Sequence, residues 1–204
     1  MKKIGISILI ALTAIFLAML VVIQIGEQDV SKNMKKLVVV ETPEQTEPME
    51  NEAFKEEEYV PPVIEGTNVA LTGNTKANAF NDVYEAKNST DGDRGTYWEG
   101  SPNEDVDELV VELDREYPIS TLVIGLNPAA IWSKRTQTIA FAVSTDGVNY
   151  TDVVPATNYE FDPKTGNQIV VELDSVTAKY VRASISKNTG AVGGQVAEFE
   201  IYSK

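Results

Sequence analysis

The sequence predicts an all-β domain over residues 67–204, built as an antiparallel sandwich or barrel. Short runs rich in β-branched and aromatic residues recur between turn signals, and no spacing typical of an amphipathic helix separates them. Several such runs without intervening helices are the pattern of antiparallel all-β domains. The runs are ELVVELD (108–114), STLVIGL (120–126), QTIAFAVS (137–144), NQIVVELD (167–174), AKYVRASI (178–185) and VAEFEIY (196–202). We expect the last run to pair inside the sheet, near the start of the domain.

Residues 1–26 are predicted to form a transmembrane anchor. Residues 4–26 carry no charged side chain, and a helix of that length would extend about 35 Å, which is enough to cross a bilayer core. A cleaved signal peptide is the alternative, but no clear small-x-small cleavage site follows Leu20. The flanking cations leave the orientation undecided, because Lys2 and Lys3 on one side nearly balance Lys32, Lys35 and Lys36 on the other.

Residues 27–66 are predicted to form an acidic linker between the anchor and the β domain. The stretch from 41 to 65 is rich in Glu and Pro, so its charges repel one another and it has no apolar face with which to form a core. The run LVVV at 37–40 is interpreted as a short strand or an apolar patch. A docking segment for a partner protein is the alternative.

The composition excludes several classes of function. The chain has 17 Lys and Arg against 31 Asp and Glu, a net charge of −14, so binding to the phosphate backbone of a nucleic acid is not expected. It has no Cys and no His, which removes thiolate zinc sites, cysteine nucleophiles and the commonest general base. Any metal must therefore be held by oxygen atoms, and such sites favour calcium or magnesium.

The segment STDGDRGTYWEG (89–100) is the most informative loop. Its residues alone fit a tight turn, a metal cage or a sugar-binding platform. Gly92 allows a sharp turn in which successive carbonyl groups converge, and calcium takes six to eight oxygen ligands, including carbonyls. A second turn of similar sequence, at Asp146 and Gly147, is interpreted as a turn only.

The ordered motifs resemble a known family. NVALTG (68–73), STDGDRGTYWEG, VSTDGVNY (143–150), AKYVRASI and AEFEIY occur in the order found in discoidin, or coagulation-factor type C, domains, and the set is similar to family 32 carbohydrate-binding modules. The resemblance implies a jelly-roll sandwich with a galactose-binding-like fold, which binds sugars at the loops of one end. Such modules accompany secreted or surface-displayed bacterial enzymes, so we expect residues 67–204 to lie outside the cell.

The resemblance also implies a structural calcium ion beside those loops. Carried over residue by residue, the ligands would be carboxylates, a hydroxyl and backbone carbonyls from the 89–100 loop and the last strand. They are Asn88 and Asp93 through their carbonyls, Asp91 and Glu198 through their carboxylates, Thr96 through its hydroxyl or carbonyl, and Ala197 through its carbonyl. The alternative is that Asp91 only forms a turn and Glu198 is only a surface residue of a strand.

A sugar site is expected at the same end of the sandwich. Aromatic rings stack on the C–H faces of sugars, and planar polar groups hydrogen-bond to pairs of hydroxyls. Trp98 is interpreted as a core residue, whereas five other residues are predicted to bind the ligand: Trp132, Arg135, Glu99, Asn103 and Gln195. Alternatively, Trp132 caps the core and Arg135 pairs with a neighbouring carboxylate. Related modules often have a Trp where this chain has Ala191, and a loop His that it lacks.

These observations lead to one functional hypothesis and one alternative. The first is a non-catalytic carbohydrate-binding module, held at the cell membrane by a single span with its C-terminal domain outside. The alternative is a surface protein-interaction or scaffold module that has lost sugar binding. An enzyme is not expected, because calcium would occupy the only suggestive pair of carboxylates, Asp91 and Glu198.

Overall fold

The computed structural model describes residues 59–204, which contain nine strands joined by turns and short 3-10 segments. The predicted anchor, the LVVV run and most of the acidic linker lie outside these residues. Residues 59–204 include no helix with the length and apolar character needed to cross a membrane. The end of the linker, residues 59–66, has no helix or strand and leads into the first strand.

The strands form one large and one small antiparallel sheet. They are β1 (Thr67–Asn68), β2 (Asn74–Ala77), β3 (Trp98–Glu99), β4 (Asp107–Gly125), β5 (Arg135–Ser144), β6 (Thr151–Phe161), β7 (Gln168–Asn188), β8 (Gln195–Val196) and β9 (Glu198–Ser203). Seven strands form the large sheet, in the order β1-β9-β4-β7-β5-β6 with β2 also paired to β4. The small sheet joins β3 to β8.

Two long strands make a sandwich out of the large sheet. The first half of β4 pairs with the second half of β7, and the second half of β4 pairs with the first half of β7, with a break in register between Glu112 and Tyr117. β2 and β5 flank the first pairing, and β9 flanks the other. Because β4 and β7 are each continuous across this break in register, the same two strands belong to both layers.

The core lies between these layers. Along β4, Leu109, Val111 and Leu113 are fully buried, whereas the residues between them are partly exposed, as the two-residue period of a strand requires. Phe141 of β5 and Phe199 of β9 come from opposite layers, and their ring centroids lie 6.0 Å apart. The all-β sandwich predicted from the sequence is therefore confirmed.

The details differ from the prediction in several places, since the short strands β1, β2 and β3 were not predicted and the run at 196–202 is divided between β8 and β9. The runs at 108–114 and 120–126 form the single strand β4, and those at 167–174 and 178–185 form β7. Strand β6 has no counterpart among the predicted runs, because it is an edge strand whose side chains are mostly exposed and which contains Pro155. The last run does pair near the start of the domain, since Tyr202 lies opposite Asn68.

Replacing Phe199 with alanine should destabilise the sandwich by about 3–5 kcal/mol, because it would leave a cavity where the two layers meet. Urea unfolding of the purified chain measures this change. The matched control is Val148→Ala, since Val148 is 79% exposed and should change the free energy of unfolding by less than about 0.5 kcal/mol. Similar losses in the two variants would contradict this packing.

Candidate functional site

Oxygen atoms converge in the loop that follows the 3-10 segment Ala86–Ser89. The Thr96 hydroxyl donates to Asp91 Oδ2 at 2.7 Å, and it also lies 3.1 Å from Asp93 O and 3.5 Å from Asn88 O. The amide of Asp93 donates to Asp91 Oδ1 at 2.9 Å. Gly92 has a φ of +82°, a left-handed conformation that glycine adopts without a steric penalty.

Glu198, the first residue of β9, faces this loop. Its side chain is buried, and its Oε1 accepts a hydrogen bond from the amide of Gly92 at 2.7 Å. Burial, together with the nearby Asp91 carboxyl group, raises the pKa of Glu198 to about 7. Two carboxyl groups this close, one of them buried, repel each other unless a proton or a cation lies between them.

The donors present fit a hard cation better than a transition metal. Within residues 59–204 no cluster of three or more Asp, Glu, His or Cys side chains is placed to hold a metal. Two carboxyl groups, a hydroxyl and backbone carbonyls are instead the mixed oxygen set that calcium accepts. Five of the six predicted ligands lie together, namely Asn88, Asp91, Asp93, Thr96 and Glu198. Ala197 is buried next to Glu198, and its amide donates to Gly125 O at 2.8 Å.

Arg94 fixes the position of this loop on the sandwich. Its guanidinium donates hydrogen bonds to the backbone carbonyls of Leu126, Gly166 and Asn167. These residues follow the end of β4 and precede the start of β7, so one side chain connects the oxygen-rich loop to both long strands.

Three aromatic side chains form a surface at the loop end of the sandwich. Trp132 ends a short 3-10 segment, and the ring of Tyr97 meets it edge-on with centroids 4.7 Å apart. Tyr84 stacks on Tyr97 at 4.3 Å. Trp98 is fully buried and donates to Ala79 O at 3.1 Å, in agreement with its interpretation as a core residue. Sequence reasoning missed Tyr97. The signal that could have found it is strand alternation, because the residue beside a buried strand Trp faces the other way.

A cleft of about 320 Å³ opens beside these rings, lined by Tyr97, Ile131, Trp132, Arg135 and Gln195. Arg135 forms much of the floor and is 7% exposed. Its guanidinium lies 5.0 Å from the Trp132 ring centroid and donates to the carbonyl oxygens of Trp132 and Ser133. On these contacts Arg135 bonds carbonyls rather than the neighbouring carboxylate of the alternative, whereas Trp132 is partly buried against the core.

A hydrogen-bonded chain of buried polar groups holds this floor. Arg135 Nη1 donates to Gln195 Oε1 at 2.5 Å, and Gln195 Nε2 donates to Glu99 Oε2 at 2.7 Å. The other Glu99 oxygen accepts from Asn81 Nδ2 at 2.9 Å, and the Gln137 side chain bonds both backbone groups of Gln195. Burial lowers the pKa of Arg135, while the Glu99 carboxylate opposes that change.

The predicted sugar ligands divide into three groups. Trp132, Arg135 and Gln195 line the cleft, and Glu99 lies behind Gln195. Asn103 does not line the cleft; it is exposed in a turn where its amide donates to Ser101 Oγ. The loop that contains Ala191 instead exposes Val192, which is 73% exposed.

Comparison with known proteins places the domain in a family. Residues 71–199 match the F5/8 type C domain, and a comparison with curated proteins gives no match. Among solved structures, the chain resembles chitosan-binding module 1 of a chitosanase/glucanase from Paenibacillus sp. IK-5, with a TM-score of 0.56 and 21% identity over 68% of this chain and 100% of that one.

Two further structures show the same fold. One is a pectin-binding carbohydrate-binding module, with a TM-score of 0.55, 22% identity, and coverage of 68% of this chain and 92% of that one. The other is CpGH89CBM32-5 from Clostridium perfringens in complex with GalNAc-β-1,3-galactose, with a TM-score of 0.55, 18% identity, and coverage of 67% and 100%. Because the family match extends over more than half of the sequence, the chain belongs to the F5/8 type C domain family.

Proposed function

We propose that residues 67–204 form a non-catalytic carbohydrate-binding module, and that its sugar site is the cleft beside Trp132. The observation that carries the proposal is the aromatic surface of Trp132 and Tyr97 over a buried, hydrogen-bonded Arg135. Rings supply the apolar face that a pyranose covers, and a few fixed polar groups give orientation. The similar solved modules are described as binding chitosan, pectin and a galactose-containing disaccharide, which supports the same class of ligand here.

The hydrogen-bonded chain assigns a role to each polar residue of the cleft. Gln195 uses its amide oxygen for Arg135 and its amide nitrogen for Glu99, so it positions the guanidinium. The guanidinium has five N–H groups, and those not used by the carbonyls and Gln195 are available to sugar hydroxyls. Glu99 does not touch Arg135, but its negative charge beyond Gln195 favours the charged form of the buried guanidinium.

We propose calcium as the structural ion of the neighbouring loop. The positive charge of the ion would offset the repulsion between the two carboxylates. Its ligands would be Asn88, Asp91, Asp93, Thr96, Ala197 and Glu198. Its structural effect would be to tie the loop after Ser89 to β9, elements that are distant in sequence. The geometry supports this assignment, because the Thr96 hydroxyl lies within 3.5 Å of oxygens of Asn88, Asp91 and Asp93, and the buried Glu198 carboxylate reaches the same loop at Gly92.

The carboxylates at the loop end favour a binding function over a catalytic one. Asp91 and Glu198 would be calcium ligands, and both oxygens of Glu99 accept hydrogen bonds from neighbouring side chains. No remaining pair of carboxylates lines the cleft, whereas hydrolysis of a glycoside by the usual mechanism needs two. The uncharged segment 4–26 supports the further proposal of a single-span membrane protein whose β domain lies outside the cell.

A protein-interaction module is the second candidate. Loop residues leave apolar side chains in solvent, with Ile131 53% exposed, Val192 73% and Phe80 50%. Exposed apolar side chains mark protein contacts where they form a contiguous patch. A partner protein would compete with sugar for Ile131, which lines the cleft.

Replacing Trp132 with alanine should abolish glycan binding, or weaken it by about tenfold or more, because stacking on the indole face is lost. The measurement is calorimetric titration of the full chain, in a detergent without a sugar headgroup, with galactosides, glucosides and α-glucans. Phe80→Ala is the matched control, since Phe80 is an exposed aromatic residue that does not line the cleft. Equal affinities for wild type and the Trp132 variant would place the sugar elsewhere. No binding by the wild type to a broad glycan array would favour the protein-interaction candidate.

Adding calcium should raise the melting temperature of the full chain, on the order of 5–10 °C at saturating concentrations, because the ion binds only the folded state. A chelator should reverse this shift, and Asp91→Asn and Glu198→Gln should each reduce it strongly. Asp152→Asn is the control, because Asp152 is an exposed carboxylate on β6. If calcium leaves the wild type unchanged, or shifts all variants equally, the loop is a turn without a specific ion.

A further inference from the structure

The first layer of the sandwich carries a second concave surface, which we call the sheet-face groove. It has a volume of about 320 Å³ and lies over β2, the first half of β4 and the second half of β7. Its walls and floor include Asn74, Lys76, Val110, Gly147, Tyr150 and Tyr180. It shares no lining residue with the cleft beside Trp132, so it is a separate surface.

A rigid turn builds one wall of the groove. Asp146 Oδ1 accepts hydrogen bonds from the amides of Val148 and Asn149 and from the Ser144 hydroxyl, and these bonds hold the pKa of Asp146 well below its usual range. Gly147 lies against the Tyr180 ring, where a Cβ would approach ring atoms at 3.0 Å. Its φ of +74° also favours glycine. The turn sequence therefore fixes how the loop lies over the sheet.

A cation holds one tyrosine of the groove and a carboxylate holds the other. The guanidinium of Arg182 lies 4.5 Å from the centroid of the Tyr150 ring, and the Tyr180 hydroxyl donates to Glu112 Oε1 at 3.1 Å. Such contacts fix the rings in place before any ligand arrives. Arg182 Nε is buried without an acceptor in the described structure, so part of its hydrogen-bonding capacity is unmet.

The charges in and around the groove nearly cancel. Arg182 pairs with Glu108 at 3.2 Å, and Glu112 lies 3.4 Å from Lys179 and 3.7 Å from Lys76. Each carboxylate thus has a cation beside it, and a ligand of either net charge gains little. What the groove offers is tyrosine rings, an apolar floor at Val110, and side chains that can donate or accept hydrogen bonds. A neutral polyhydroxylated ligand matches that combination.

We propose that the sheet-face groove is a second carbohydrate site, which takes a neutral oligosaccharide along the sheet rather than a single residue at the loop end. Asn74, Lys76, Ala77 and Asn78 line one side, so from Asn74 to Asn78 this side extends for about 13 Å, longer than one pyranose ring. The inference goes beyond the proposed function, since the groove uses none of the residues assigned to the cleft.

Calorimetric titration of the full chain, again in a detergent without a sugar headgroup, tests the groove with four neutral probes: cellohexaose, maltohexaose, laminarihexaose and xylohexaose. We expect two binding events per chain for at least one of them. Trp132→Ala should retain the binding event at the groove. Tyr150→Ala should weaken the affinity of that groove event by about tenfold or more. Tyr150→Phe keeps the ring and should bind as the wild type does. Raising the salt concentration should leave the affinity unchanged.

A less disruptive pair of variants protects the test against misfolding. Lys76 is on the rim, with 68% of its side chain exposed, and its loss should cost little stability. Lys76→Ala should weaken the event retained by the Trp132 variant, whereas Lys187→Ala, at another exposed strand position, should not. If circular dichroism shows that Tyr150→Ala is unfolded, this pair decides the result.

The outcomes separate the two sites. Binding that Trp132→Ala removes entirely would overturn the groove and leave the proposed cleft intact. Binding that only the groove variants weaken would support the groove and overturn the cleft. Binding to no probe by the wild type would overturn the groove, while the glycan array decides the cleft separately. If the groove bound only polyuronates, and high salt abolished that binding, the assignment of a neutral ligand would be overturned.

Discussion

The continuity of β4 and β7 through both layers is the constraint on which the rest of the domain depends. Because each strand continues from one layer into the other past a break in register, the end of β4 and the start of β7 lie side by side, with Gly125 opposite Gln168. Glu198 of β9 pairs at the same level, opposite Gly125. Arg94 then binds the carbonyls of Leu126, Gly166 and Asn167. The loop after Ser89, which contains several of the proposed calcium ligands, thus lies where the end of β4 meets the starts of β7 and β9.

Buried polar groups, rather than apolar packing, determine the shape of the loop end. Asp107 accepts hydrogen bonds from the amides of Gly194 and Ser101 at 2.7 and 3.0 Å, and burial raises its pKa. Glu99 and Glu198 are likewise buried and hydrogen-bonded. An unsatisfied buried carboxylate is costly, so each of these bonds restricts the loops to one arrangement. The resulting rigidity is what lets a shallow cleft present Trp132 and Arg135 in a fixed relation.

The sequence predicted the buried strands well because alternation is a local signal. It did not predict that Pro118 and the polar residues around it leave β4 unbroken, since the pairing of Pro118 with Thr177 depends on a distant strand. The proximity of Glu99 and Gln195 was expected only through the family resemblance, because these residues pair across 96 positions. Tyr84 and Tyr97 were missed for a related reason: their stacking joins two loops that no local pattern connects. Asn103 was misplaced because a loop position gives no direction for its side chain.

The two concave surfaces differ in a way that follows from their construction. The cleft rests on Arg135 and Gln195, which are nearly fully buried and already bonded to each other, so its chemistry is directional and suits one sugar residue held in one orientation. The sheet-face groove rests on strand side chains that repeat along β2 and β4, so its contacts recur in one direction. A surface of that kind suits a polymer better than a chain terminus. If both sites are occupied by one polysaccharide, the tether between them raises the effective concentration at the second site, and weak contacts at each would suffice for firm attachment.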